Sequence, residues 1–145
     1  MRMLRHPHVV GVRGSYFDSL KNEFYIIMEL ISGRSLRDVL NTMGAFHETV
    51  TRKFTRQILV ALNYCHQNCV IHRDIKGENI LLTIAGQIKL CDLGGAKLRD
   101  EANEGDKSER SLTYSYTPLW VAPEAITTGK YNDRVDIWAL GKEME

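Results

Sequence analysis

The run His72-Arg73-Asp74-Ile75-Lys76-Gly77-Glu78-Asn79 constrains this chain more than any other feature. It sets a carboxylate, a lysine two residues on and a carboxamide five residues on in one polar segment. Cys69 to Ile71 precedes the segment and Ile80 to Thr83 follows it, and both stretches read as short strands. Gln87 to Leu90 is a third strand candidate, with Ala85-Gly86 as the tight turn before it. A loop between two strands that carries an acid, a base and an amide is a candidate catalytic segment.

The rest of the chain divides by its apolar period. Val9 to Tyr16 and Glu23 to Glu29 are rich in β-branched and aromatic residues. The polar turn Asp18 to Asn22 separates them, which predicts a hairpin. Ser32-Gly33-Arg34 is expected to break the strand. Ser35-Leu36-Arg37-Asp38 has the spacing of a capping box and opens a short helix that Gly44 ends. From Glu48 to Gln67 the period becomes helical, with Val50, Phe54, Ile58, Ala61 or Leu62, and Cys65 on one face. Residues 99–115 are polar and read as a loop. Val135 to Leu140 opens a buried helix after Asp133-Arg134, and Met1 to Arg5 reads as the last turn of another.

Composition narrows the function classes. The chain has 145 residues and a net charge of +1, which points neither to nucleic acid nor to an anionic membrane. No apolar run approaches the roughly 18 residues of a membrane span, and Met1 to Pro7 lacks the apolar stretch of a secretory signal. Three cysteines, Cys65, Cys69 and Cys91, are few and odd in number, which suits a reducing compartment. Cys65-His66-x-x-Cys69 lacks a second ligand pair, so buried thiols are expected there rather than a metal site. A cytoplasmic location is the default expectation.

Placed in order, these motifs resemble a eukaryotic protein kinase domain of the serine/threonine kind. His72 to Asn79 is similar to the catalytic loop of that family, Asp92-Leu93-Gly94 to its Asp-Phe-Gly motif with Leu93 for Phe, and Ala122-Pro123-Glu124 to its Ala-Pro-Glu motif. Thr117-Pro118-Leu119-Trp120 resembles the Gly-Thr-Pro-x-Trp stretch, with Tyr116 where Gly is usual. His6-Pro7-His8-Val9-Val10 resembles the turn before strand β4 of the family, and Asp136 to Gly141 the start of its helix αF. The Ile-Lys-Gly wording of the loop looks most like the mitogen-activated kinase kinase kinase and sterile-20-like groups.

The resemblance implies a partial kinase-like α+β fold. Residues 1–31 would be an N-lobe remnant and hinge, and residues 32–145 a C-lobe portion with the catalytic loop and activation segment. It implies ATP and Mg2+ as cofactors and a protein substrate as partner. Asp74 would accept or orient the hydroxyl proton, Lys76 would offset γ-phosphate charge, and Thr117 would bond toward both. Asn79 and Asp92 would hold magnesium. Met28 would back the adenine pocket, backbone groups of Glu29 and Ile31 would bond the adenine edge, and Leu81 would be a further cofactor-binding residue. Asp136 would anchor the catalytic-loop backbone. An upstream kinase is expected to act on the 99–116 loop, with Thr113 the first choice and Ser111 the nearest alternative.

A kinase also needs a Gly-rich phosphate loop, a strand lysine and a glutamate to hold it. None of the three patterns occurs in these residues. Truncation at both ends of a kinase domain is therefore expected. Three readings stay open: part of an active kinase, a kinase-like binding module without catalysis, or a chain that does not fold by itself.

Overall fold

The computed structural model describes residues 4–98, 118–127 and 132–144. Strands β1 (Val12–Asp18) and β2 (Glu23–Met28) form the expected antiparallel hairpin, in one register from Gly14 opposite Ile27 to Asp18 opposite Glu23, with a bulge between Gly14 and the Val12–Met28 pair. Asp18 shapes the turn, because its Oδ1 accepts the N–H groups of Leu20 and Lys21 at 3.0 and 3.2 Å. The sequence places a break at Ser32-Gly33-Arg34; the structure instead has a strand there, β3 (Gly33–Ser35). Glycine is what permits it. A Cβ on Gly33 would lie 2.0 Å from the Leu82 carbonyl oxygen, so only a residue without a side chain lets the two backbones pair.

Ser35 then caps α1 (Leu36–Met43), its Oγ accepting from Asp38 N at 3.1 Å. Gly44, at φ 77°, closes the helix by donating to Leu40 O at 2.8 Å. Helix α2 (Glu48–Gln67) has the predicted bounds and buries Phe54, Ile58, Cys65 and both Ala61 and Leu62 of the predicted stripe, with Val50 half-buried against them. Short β4 (Val70–Ile71) leads into the catalytic-loop segment, and a 3-10 turn (Gly77–Asn79) leads out of it into β5 (Ile80–Thr83). Strand β6 (Ile88–Leu90) completes a three-stranded sheet in the order β3-β5-β6. A 3-10 turn (Leu93–Gly95) and β7 (Lys97–Leu98) follow, and β7 pairs with β4, a partnership the sequence did not announce. Past residue 117 come a 3-10 turn (Pro118–Trp120), α3 (Pro123–Thr127) and α4 (Arg134–Met144).

The core forms where the α2 stripe meets the inner face of this sheet. Ile58, Leu62, Ile75, Ile80, Ile88 and Leu90 are fully buried there, joined by Ala139 and Leu140 of α4. Each such aliphatic side chain contributes roughly 1.5–3 kcal/mol of transfer free energy. A smaller cluster of Ile71, Ala122, Ala125 and Val135 sits beside it. Residues 8–10 run along the β6 edge, where Val10 N donates to Leu90 O and Leu90 N to His8 O, at 2.8 and 2.9 Å. That contact joins the hairpin to the core. The helix expected over Met1 to Arg5 is not present at Leu4 and Arg5, and Met1 to Met3 lie outside the described residues. Arg5 N donates instead to Tyr64 Oη at 2.9 Å, and His6 stacks on the Tyr64 ring.

Candidate active site

The loop between β4 and β5 is held from beneath by one buried side chain. Asp136, at the start of α4 and 1% exposed, accepts His72 N at its Oδ2 and Arg73 N at its Oδ1, at 2.9 and 2.8 Å. His66 Nε2 lies 2.7 Å from the same Oδ2. These bonds stabilise Arg73 at φ 70°, a left-handed conformation that a non-glycine residue adopts at a cost of about 1–2 kcal/mol. The turn so made sends Asp74 outward while His72 goes inward.

His72 is wholly buried and works in the neutral form. Asp74 N donates to its Nδ1 at 3.4 Å, so its Nε2 carries the hydrogen and donates to Cys91 O at 3.0 Å. Burial lowers its pKa below the usual histidine value, and this outweighs the opposite pull of Asp136, the Cys91 carbonyl, Asp74 and Asp92. A base with a depressed folded pKa contributes stability that is complete above the unfolded value of 6.5 and is lost as pH falls below it. Replacing His72 by Gln is expected to remove up to about 1.4 kcal/mol per pH unit from the stability slope below that value. Denaturant titrations at pH 7.5 and 5.5 check it; an unchanged slope refutes it.

Asp74, Lys76 and Asn79 meet as the sequence implies. Lys76 Nζ and Asn79 Nδ2 both approach Asp74 Oδ2, at 2.8 and 2.7 Å, and Asn79 Nδ2 also reaches Asp74 O at 2.8 Å. The Gly77–Asn79 turn supplies the reach, since Asn79 N donates to Lys76 O. Cys91 N donates to Asn79 O at 3.0 Å, which fastens the residue before Asp92 to the same turn. Asp92 itself is exposed, at φ 60°, and its Oδ1 accepts Gly94 N at 3.1 Å. Arg73 Nε donates to Gly95 O at 2.6 Å, which with the His72 and Asn79 bonds to Cys91 makes three ties between the two loops. Because Asn79 spends its amide nitrogen on Asp74, its oxygen is the group left for a cation. An amide oxygen and a carboxylate are both hard donors, of the kind that suits Mg2+. Burial, with the Asp92 charge second, pushes the Cys91 thiol up to about 11, so it stays protonated at neutral pH.

Met28 ends β2 and is exposed, with Glu29 and Ile31 just beyond it. Glu29 N donates to Gly11 O at 2.9 Å. The Glu29 side chain takes Lys89 Nζ and Gly11 N, both at 2.7 Å. Burial alone would raise its pKa, but the bonds from Lys89 and Gly11 and the charges of Lys89 and Arg13 outweigh this and lower it. Leu81 pairs with Lys89 across β5 and β6, so both side chains share the sheet face that Glu29 reaches. Thr117, Thr113 and Ser111 lie outside the described residues.

A family model described as "Protein kinase domain" matches residues 1–144. The chain belongs to the protein kinase family. Among its kinase relatives is human mitogen-activated protein kinase kinase kinase 3, 40% identical over 141 residues, which make up 97% of this chain and 22% of that protein. Mouse mitogen-activated protein kinase kinase kinase 19 is 39% identical over 142 residues, 97% of this chain and 11% of the relative. Mitogen-activated protein kinase kinase kinase A of Dictyostelium discoideum is 39% identical over 141 residues, 97% and 14%. The chain therefore spans less than a quarter of the length of these kinases. Sequence reasoning identified the kinase motifs but missed two supporting residues. Nothing local marked Lys89 as the partner of Glu29 or His66 as the partner of Asp136, since 60 and 70 residues separate them. Among the described residues no helix is long and apolar enough to cross a membrane.

Proposed function

We propose that these residues are the catalytic-loop portion of a domain that transfers the γ-phosphoryl group of ATP to serine or threonine hydroxyls of a protein. One observation carries the reading: Lys76 and Asn79 converge on a single oxygen of Asp74, in a loop that Asp136 holds from below. Phosphoryl transfer asks little covalent work of a protein, so positioning and charge neutralisation dominate. Asp74 orients the acceptor hydroxyl and takes its proton as the new P–O bond forms and the bond from the γ-phosphorus to the β–γ bridging oxygen breaks, with ADP as the leaving group. Lys76 offsets charge on the transferred group. Asn79 and Asp92 supply oxygens to Mg2+, which neutralises the phosphates when bound. Met28, the Glu29 carbonyl, Ile31 and Leu81 border the adenine, and Thr117 bonds toward Asp74 and Lys76. Residues 1–31 serve as the N-lobe side and hinge, and residues 32–145 as the C-lobe side. Activation follows phosphorylation of the 99–116 loop by an upstream kinase, at Thr113, in the cytoplasm.

The same reading makes the 145 residues inactive alone. The Gly-rich loop and strand lysine are not among them, and losing one transition-state charge partner costs about 2.7–4 kcal/mol. Radiolabel transfer from ATP to a basic protein substrate is the test. A longer protein that carries these residues together with a Gly-rich loop and a strand lysine is expected to transfer label and the 145-residue chain not to. A longer protein that binds nucleotide without transferring label would make this a binding module instead.

A further inference from the structure

Glu143 is an acidic residue on the core side of α4, one turn after the buried Ala139 and Leu140. Its side chain is only 3% exposed. Stripping a carboxylate of water is expensive unless donors replace the water, and here they come from two other elements. Trp120 Nε1 donates to Glu143 Oε2 at 2.9 Å, and Arg37 Nη2 lies 3.8 Å from the same oxygen. The other oxygen faces the catalytic-loop turn. A Cβ on Gly77 would lie 2.6 Å from Glu143 Oε1 and 3.2 Å from Arg37 N, so glycine is what admits the carboxylate. Arg37 completes the group, with its Nε 3.3 Å from Glu78 Oε1 and its guanidinium 5.8 Å from the centre of the Trp120 ring. Four elements thus meet on one buried acid: α1, the Gly77–Asn79 turn, the Pro118–Trp120 turn and α4.

Packing alone would be served by an apolar side chain at this position. A carboxylate adds direction, because its two oxygens address two separate turns. One turn carries Asn79, which bonds Asp74; the other follows directly on Thr117. We propose that Glu143 is a positioning residue for phosphoryl transfer: it locks the turn bearing Asn79 to the turn bearing Trp120, so that both sides of the reacting hydroxyl keep one register. The proposal rests on the kinase reading above.

The test uses the longer protein that carries these residues, with Glu143→Gln, Glu143→Leu, Trp120→Phe and the Glu143→Leu/Trp120→Phe double variant. Glu143→Gln keeps an acceptor for the indole and is expected to hold kcat near the wild-type value. Glu143→Leu is expected to lose about tenfold to a hundredfold in kcat, as misplacement of a reacting group does, with the KM for ATP little changed. The double variant is expected to be no worse than Glu143→Leu, since both changes break one link. The indole N–H resonance that Trp120→Phe deletes should exchange slowly with solvent in the wild type and rapidly in Glu143→Leu. Should Glu143→Leu fail to fold, Trp120→Phe carries the test, because it deletes one donor and keeps the ring; it should lower kcat several-fold. A wild-type protein that transfers no phosphate overturns the kinase reading and this proposal with it. An active wild type overturns this proposal alone if Glu143→Leu stays within twofold of its kcat, or Trp120→Phe does where Glu143→Leu does not fold. Additive single effects, or an indole still protected in Glu143→Leu, do the same.

Discussion

Asp74→Asn in the longer protein is expected to lower kcat for phosphotransfer by about 10²–10⁴-fold, the usual contribution of a general base. The substitution keeps the shape of the side chain and removes its charge and basicity. In the structure one oxygen of Asp74 accepts from both Lys76 and Asn79. An asparagine there keeps one acceptor, so the loop geometry survives while the group that takes the hydroxyl proton is gone. The unfolding midpoint should stay near that of the wild type, which separates a chemical loss from a folding one. Asp92→Asn is expected to lose as much turnover by another route. It removes the negative ligand, so Mg2+-nucleotide affinity should fall with kcat, whereas Asp74→Asn should leave that affinity nearly intact. Steady-state turnover beside nucleotide binding distinguishes the two. Near wild-type turnover in either variant would show that its carboxylate has no part in the reaction.

Asp136→Ala should damage both stability and turnover. It strands two backbone donors, the buried His72 N and the part-buried Arg73 N, and takes away the acceptor beside His66. An unsatisfied buried donor costs about 1–3 kcal/mol, so the loss should total roughly 2–5 kcal/mol. Turnover should fall even in protein that remains folded. Asp136 Oδ1 accepts the backbone N–H of Arg73 in its left-handed conformation, and relaxation of that residue on losing this acceptor is expected to move Asp74 off its line. Asp136→Asn retains one acceptor oxygen and should fall between the wild type and Asp136→Ala on both measures. Chemical denaturation gives the stability, and kcat taken well below the unfolding midpoint gives the positioning effect. A variant that loses stability yet keeps full kcat when folded would make Asp136 a packing residue only.

Local pattern determined much of this protein. The stripe from Phe54 to Cys65 predicts α2 to the residue, because a helical period is set by chain geometry and read over twenty positions. The cap at Ser35 and stop at Gly44 are equally local, as each is a bond within one turn. The order of the polar motifs around Asp74, Asn79 and Asp92 was legible too, since their chemistry depends on residue type at short spacing. Gly33 was misread as a strand breaker. Its meaning lies in the Leu82 carbonyl against it, and that neighbour is 49 positions away in the chain. Strand β7 was missed for the same reason, being two residues whose only warrant is a ladder with β4.

Tertiary structure alone decided which charges distant in the chain pair. Asp136 at a helix start has a plain local explanation in the helix dipole, and only the fold shows both its oxygens committed to the loop 63 and 64 residues earlier. Glu143 would read from sequence as a surface residue of α4. The packing of α1 and two turns around it makes it a buried hub. Sequence determines what each short segment prefers, because those preferences come from bonds and contacts a few residues apart. Which distant donor reaches a given acid depends on how the segments pack, and that is settled only when the whole apolar surface is buried together.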